Sequence, residues 1–81
     1  MKITYDHEED VLYLTFIDSE EECDYVENPD GVVLRIGLKS GQVLGCTVMW
    51  FMKKLKRDKK VVVPEIGPIT APEDLKRIVG F

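Results

Sequence analysis

The sequence predicts an α+β fold: an antiparallel sheet of about five strands, starting as a meander at the N-terminus and packed against two helices. Three observations predict it. Short alternating apolar runs, separated by turn signals, fill the chain as far as Thr47. The apolar spacing then lengthens to that of a helix, and a helix-start signature stands near the C-terminus.

Lys2-Ile3-Thr4-Tyr5 alternates polar and apolar residues, and Val11-Leu12-Tyr13-Leu14-Thr15-Phe16-Ile17 is rich in strand formers. The charged residues 6–10 join them into a hairpin with Ile3, Tyr5, Leu12, Leu14 and Phe16 inward. A polar loop over residues 18–24 follows. Tyr25-Val26 then runs into Asn28-Pro29-Asp30-Gly31, a turn signal because Pro fixes φ and Gly accepts a positive φ. Residues 32–36 read as the next strand, with Val32, Leu34 and Ile36 inward and Arg35 outward. Residues 37–41 make a tight connection, and residues 42–48 return, so that the strands are connected locally throughout.

Val48, Phe51, Met52 and Leu55 then fall on one helical face, with Lys53, Lys54, Lys56 and Arg57 around it. A helix is predicted over about residues 49–57, its basic end at the negative end of the dipole. Residues 60–63 read as a fifth strand, stopped by Pro64. Thr70-Ala71-Pro72-Glu73 is a capping box, Pro72 suits a first turn and Gly80 ends a helix whose stripe is Ala71, Leu75, Ile78 and Val79.

With 81 residues and no linker or repeat, the chain is read as one domain over 1–81. A domain of this size buries only about 60–65% of its unfolded surface. A catalytic cleft would consume much of such a core, which argues against an enzyme. The two cysteines, Cys23 and Cys46, are too few for a disulfide scaffold and read as reduced thiols of a cytoplasmic protein. No secretory signal opens the sequence, and the longest mostly apolar run, over residues 43–52, is short of the ~20 residues of a membrane-spanning helix.

Charge carries the functional information. Eleven of the fifteen carboxylates lie between Asp6 and Asp30, and no Lys or Arg occurs from Ile3 through Leu34. Six of the eleven basic residues crowd into residues 53–60. A formal net charge of −4 therefore conceals two opposed blocks, which points to binding.

The pattern Tyr5-Asp6-x-x-x-Asp10-x-Leu12-Tyr13-Leu14 resembles the opening of a family of small prokaryotic proteins, the domain of unknown function DUF2283. Gly31-Val32-Val33-Leu34 and Gly41-x-Val43-Leu44-Gly45 resemble that family's central hairpin. The resemblance implies the same hairpin and meander. Some members are encoded beside small toxin-like proteins, which implies a basic protein partner for an antitoxin-like acidic module.

Asp18, Glu20, Glu21, Glu22 and Asp24 form the densest carboxylate loop, and hard divalent cations want several oxygen ligands. The loop is not an EF-hand: with Asp18 as position 1, position 6 is Cys23 rather than Gly and position 12 is Pro29 rather than Glu. Two readings follow. One is a non-catalytic domain binding a divalent cation, Ca²⁺ first, through Asp18, Glu20, Glu21, Glu22 and Asp24. The other is a protein-interaction module whose acidic face meets a basic partner. A plain solvated loop is the usual fate of such a run. The acidic turn over residues 6–10 reads as a second cluster, able to widen the first if both lie at one end of the sheet.

Other chemistry is weaker. His7 is the only histidine, so no His-based metal site or Ser/Cys–His–carboxylate triad can be assembled. Basic residues 53–60 follow Trp50 and Phe51, but those aromatics stand where a core needs bulk, and a pI of about 4.9 disfavours nucleic acid. Gly37-Leu38-Lys39-Ser40-Gly41 lacks the Gly-Lys of a phosphate loop. The opposed charge blocks allow pairing within the molecule or weak self-association of an otherwise monomeric protein.

Overall fold

A computed structural model of the chain describes residues 1–75. Its elements are β1 (Lys2–Asp6), β2 (Val11–Thr15), β3 (Cys23–Glu27), β4 (Val32–Gly37), β5 (Val43–Met49), α1 (Phe51–Asp58), β6 (Val61–Val63) and β7 (Gly67–Ile69). The first five strands form one antiparallel sheet in the order β1-β2-β5-β4-β3, and β6 and β7 form a separate hairpin.

The predicted hairpin β1–β2 is present, with Tyr5 opposite Leu12 and Ile3 opposite Leu14. The strictly local meander is not. β3, β4 and β5 form their own meander, and its last strand docks against β2, pairing Leu12 with Val48 and Leu14 with Cys46. Burial decides this. Placing β5 in the middle gives Leu12, Leu14, Cys46 and Val48, each at most 1% exposed, neighbours on both sides. The acidic β3 is left at the edge, where its charges stay in water.

The fifth strand of the sheet is therefore Cys23–Glu27, not residues 60–63. Val61 and Val63 pair instead with Ile69 and Gly67 across a turn at Pro64. This small hairpin and α1 form the second layer, closing Phe51, Leu55, Val61, Val63 and Ile69 over Leu12, Leu14, Val32, Cys46 and Val48. Both cysteines are free, and burial pushes the Cys46 thiol up to about 11 despite the opposing field of Arg35.

The helix begins two residues later than predicted, because Val48 and Met49 remain in β5. Trp50 sits in the left-handed region at φ 59° and is 51% exposed, so it is not the core residue the sequence suggested. The Lys53 ammonium lies 4.6 Å from its ring centroid. Of these two adjacent aromatics only Phe51 enters the core, 1% exposed and edge-on to Tyr5.

Among the described residues there is one helix, not two. The second predicted helix lies partly outside the described residues, and only its start can be followed. There Asp74, not Glu73, reaches back, its Oδ2 accepting from the Thr70 amide at 2.9 Å, the Thr70 hydroxyl at 3.0 Å and the Ala71 amide at 3.1 Å.

A bulge near Arg35 shifts the β4–β5 register, so Arg35 faces Gly45 while Ile36 faces Val43. The bulged Leu44 turns its carbonyl to the Phe16 and Ile17 amides at 2.8 and 3.1 Å. Gly45 is required there, since a Cβ would run into the Leu14 carbonyl and the Arg35 guanidinium. Arg35 lies across it on the sheet face away from the core and donates to the Thr15 hydroxyl at 3.1 Å.

Candidate functional site

Strand direction sorts the charges into two ends. β1, β3 and β5 run one way and β2 and β4 the other. The turn at residues 7–10, the turn at residues 28–31 and the start of α1 therefore share one end. The loop at residues 16–22 and the turn at residues 38–42 share the other. The two acidic clusters lie at opposite ends of the sheet and cannot form one enlarged cation site.

At the helix end the carboxylates are organised by backbone. Asp6 Oδ1 accepts the Glu8 and Glu9 amides at 3.0 and 3.2 Å, closing the turn. Asp10, at φ 56°, caps α1 from across the chain. Its carbonyl accepts from Phe51 N at 3.1 Å, its Oδ1 from Met52 N at 2.8 Å and its Oδ2 from Lys53 N at 3.2 Å. The Tyr5 hydroxyl adds a 2.6 Å bond to Oδ1. Burial works to raise the Asp10 pKa, but the Tyr5 hydroxyl and the two helix amides outweigh it and hold the carboxyl below its usual value. The same hydrogen bond, with burial and the nearby carboxylates, pushes Tyr5 up to about 12. Sequence reading missed this role, although a signal existed: the helix opens after Met49-Trp50, with no side chain able to cap it.

At the other end stand the five candidate ligands. Glu21 is half-buried and committed. Its Oε1 accepts from Ser40 N at 2.9 Å, Lys39 N at 3.0 Å and Ser40 Oγ at 3.2 Å, while Ser19 Oγ donates to Oε2 at 3.1 Å. The Ser40 amide leads the contacts that hold its pKa below the ordinary value. Glu21 thus staples the crossover loop to the β4–β5 turn.

Asp18, Glu20 and Glu22 are exposed on the loop, and Asp24 is exposed on β3. They do not converge. Among the described residues no group of three or more His, Cys, Asp or Glu side chains is arranged to hold a metal ion. Nor do the two charge blocks form an ion pair with each other among the described residues. Among the described residues the one ion pair is Arg57 with Asp58 at 2.9 Å, and Lys54 Nζ turns to the Asp30 and Gly31 carbonyls at 3.3 and 3.5 Å.

The acidic loop is continuous with an open sheet edge. Asn28 N donates to Val32 O at 2.9 Å and Leu38 N to Glu22 O at 2.9 Å, which fixes the phase of the β3–β4 ladder. Hydrogen-bonded positions alternate in an antiparallel pair. Asp24 and Val26 therefore turn their backbone groups toward β4, and Cys23, Tyr25 and Glu27 turn theirs outward. Tyr25 is 68% and Val26 48% exposed, so both faces of this edge are accessible. Beside it, a recess of about 320 Å³ lies between Thr15, Ser19, Tyr25 and Arg35.

No helix among the described residues is long and apolar enough to cross a membrane. In comparison with known families, residues 2–51 match the one described as "Protein of unknown function (DUF2283)". No curated protein and no solved structure matches the chain.

Proposed function

The chain belongs to the DUF2283 family of proteins of unknown function, and on that premise we propose that it is a non-catalytic interaction module whose acidic loop and sheet edge engage a basic segment of a partner protein. One observation carries the reading. Asp18, Glu20, Glu22, Asp24 and Glu27 stay exposed along the loop and the edge strand that follows it, and none makes an ion pair among the described residues. Such a field attracts a basic partner and steers its approach.

The reading displaces Ca²⁺ binding because the carboxylates are spread along a strand and a loop, and Glu21 is spent on backbone amides. A cation site would discriminate Ca²⁺ from Mg²⁺ by size and ligand number, whereas a docking field follows ionic strength.

The test is an amide-shift titration with a lysine-rich peptide, with CaCl₂, with MgCl₂ and with NaCl at matched ionic strength. Peptide shifts should map to residues 18–27, weaken with NaCl and vanish when Glu20, Glu22 and Asp24 are changed together to Lys. The acidic turn at residues 6–10 is an internal control that should respond less. Saturable, Ca²⁺-preferring shifts would replace this reading with the cation site, and equal response at both acidic ends would remove it.

A further inference from the structure

We infer that the partner segment enters as an added strand, pairing its backbone with the outward N–H and C=O groups of Cys23, Tyr25 and Glu27 on β3. This inference rests on the acidic-module reading and specifies its docking mode.

The geometry supplies the backbone half of the argument. Among the described residues β3 has one sheet neighbour, β4, and its five residues run as a regular ladder with no shift in register. It contains no Pro and no Lys, residues that often blunt an edge. A regular edge with three consecutive outward positions is a template for one more strand.

Side chains supply the specificity. Register places Tyr25 and Glu27 on the face shared with Arg35 and Val33, and Asp24 and Val26 on the face shared with Ile36 and Leu34. An incoming strand thus meets one carboxylate and one apolar surface on each face. Lysine or arginine opposite Asp24 and Glu27, and apolar residues beside Tyr25 and Val26, would satisfy both. Glu20 and Glu22 extend the attraction into the preceding loop.

Charge also selects among occupants. Negative side chains guard an edge against strands of like charge, and they leave it open to basic ones. A second copy offering its own β3 would bring Asp24, Glu27, Glu20 and Glu22 of both chains together without a single Lys or Arg from residue 3 to residue 34. The occupant is therefore a basic, extended segment of another protein.

The experiment uses the whole protein and a peptide of alternating lysine and valine long enough to span β3. A matched peptide carries N-methyl groups on alternate backbone amides, with charge and side chains unchanged. Hydrogen exchange is followed at Cys23, Tyr25 and Glu27. With the first peptide at about ten times its Kd, exchange there should slow by roughly tenfold, and the peptide methylated on its pairing edge should give no such protection. Tyr25→Pro removes one outward donor at an edge position that tolerates proline, and should abolish protection while the Asp24 and Val26 amides stay bonded to β4.

If both peptides bind alike with no protection of β3, the acidic module survives and strand addition fails. If neither binds saturably, both fail. Concentration-dependent protection of β3 in the protein alone would assign the edge to a second copy and overturn the inference. The methylated peptide decides the matter in the unaltered protein, so the test does not depend on the proline variant folding.

Discussion

Asp10 Oδ1 and the Met52 amide meet at 2.8 Å across 42 residues of sequence. This contact ties the turn of the first hairpin to the start of the only helix among the described residues. It also gives the Tyr5-Asp6-x-x-x-Asp10 pattern a physical meaning, since Tyr5 and Asp10 form one hydrogen-bonded unit and Asp6 closes the turn between them.

Removing that cap should be costly. Asp10→Ala is expected to destabilise the protein by about 1–2 kcal/mol, at the upper part of the range for helix caps, because the left-handed geometry at position 10 is lost as well. Urea denaturation measures the loss. Faster exchange of the Met52 and Lys53 amides, with β3 unaffected, would localise it.

The Tyr5–Asp10 pair also sets two limits of pH. Tyr5 deprotonates near 12 when folded, against an ordinary value of 10.0. Its raised pKa gives stability that is complete below pH 10 and declines as pH climbs toward 12. Asp10 has the opposite sign: its lowered pKa gives stability present above the ordinary 3.8 and lost as pH falls through the folded value. Absorbance titration and melting at high pH should show both the late phenol step and the alkaline slope disappearing in Tyr5→Phe.

Glu21 should behave as a structural carboxylate. Glu21→Ala is expected to speed exchange of the Lys39 and Ser40 amides, and to leave the response to CaCl₂ unchanged. Since its pKa lies below the ordinary 4.5, wild-type protection of those amides should persist above that value and fall away only at lower pH. A loss of saturable Ca²⁺ shifts in this variant would contradict the staple role.

The small C-terminal hairpin should prove to be part of the main core. Ile69 is fully buried, so Ile69→Ala is expected to cost about 2–5 kcal/mol, a large fraction of a small domain's stability. Chemical denaturation should lose the sheet and α1 together in one transition. A separate early transition confined to residues 61–69 would show an independent hairpin.

Gly45→Ala is expected to destabilise by about 1–3 kcal/mol, because the added methyl group presses on the Leu14 carbonyl as well as on Arg35. Shortening the partner should not cure it. Arg35→Ala in the Gly45→Ala background would relieve the flexible side-chain contact and leave the backbone one.

By itself the sequence determined the local structure: the first hairpin, the turns at residues 28–31 and 37–41, and an amphipathic helix, read over about residues 49–57 and found at Phe51–Asp58. Each depends on neighbours in the chain, through alternation, turn chemistry and helical spacing. It also located the acidic block. Only the tertiary structure decided which strands are neighbours. Val11–Thr15 and Val43–Met49 are both apolar enough to lie in the middle of a sheet, and nothing local states that they pair. Strand Cys23–Glu27 straddles what reads locally as a polar loop over residues 18–24 and a Tyr25-Val26 approach to a turn, because an edge strand needs burial on neither face to be held by its ladder. Tertiary structure likewise separated the carboxylates by role, sending Asp10 to a helix and Glu21 to a turn, and leaving Asp24 and Glu27 exposed. That division follows from which backbone amides lack partners after folding, a property of the assembled chain that no local spacing of acidic residues contains.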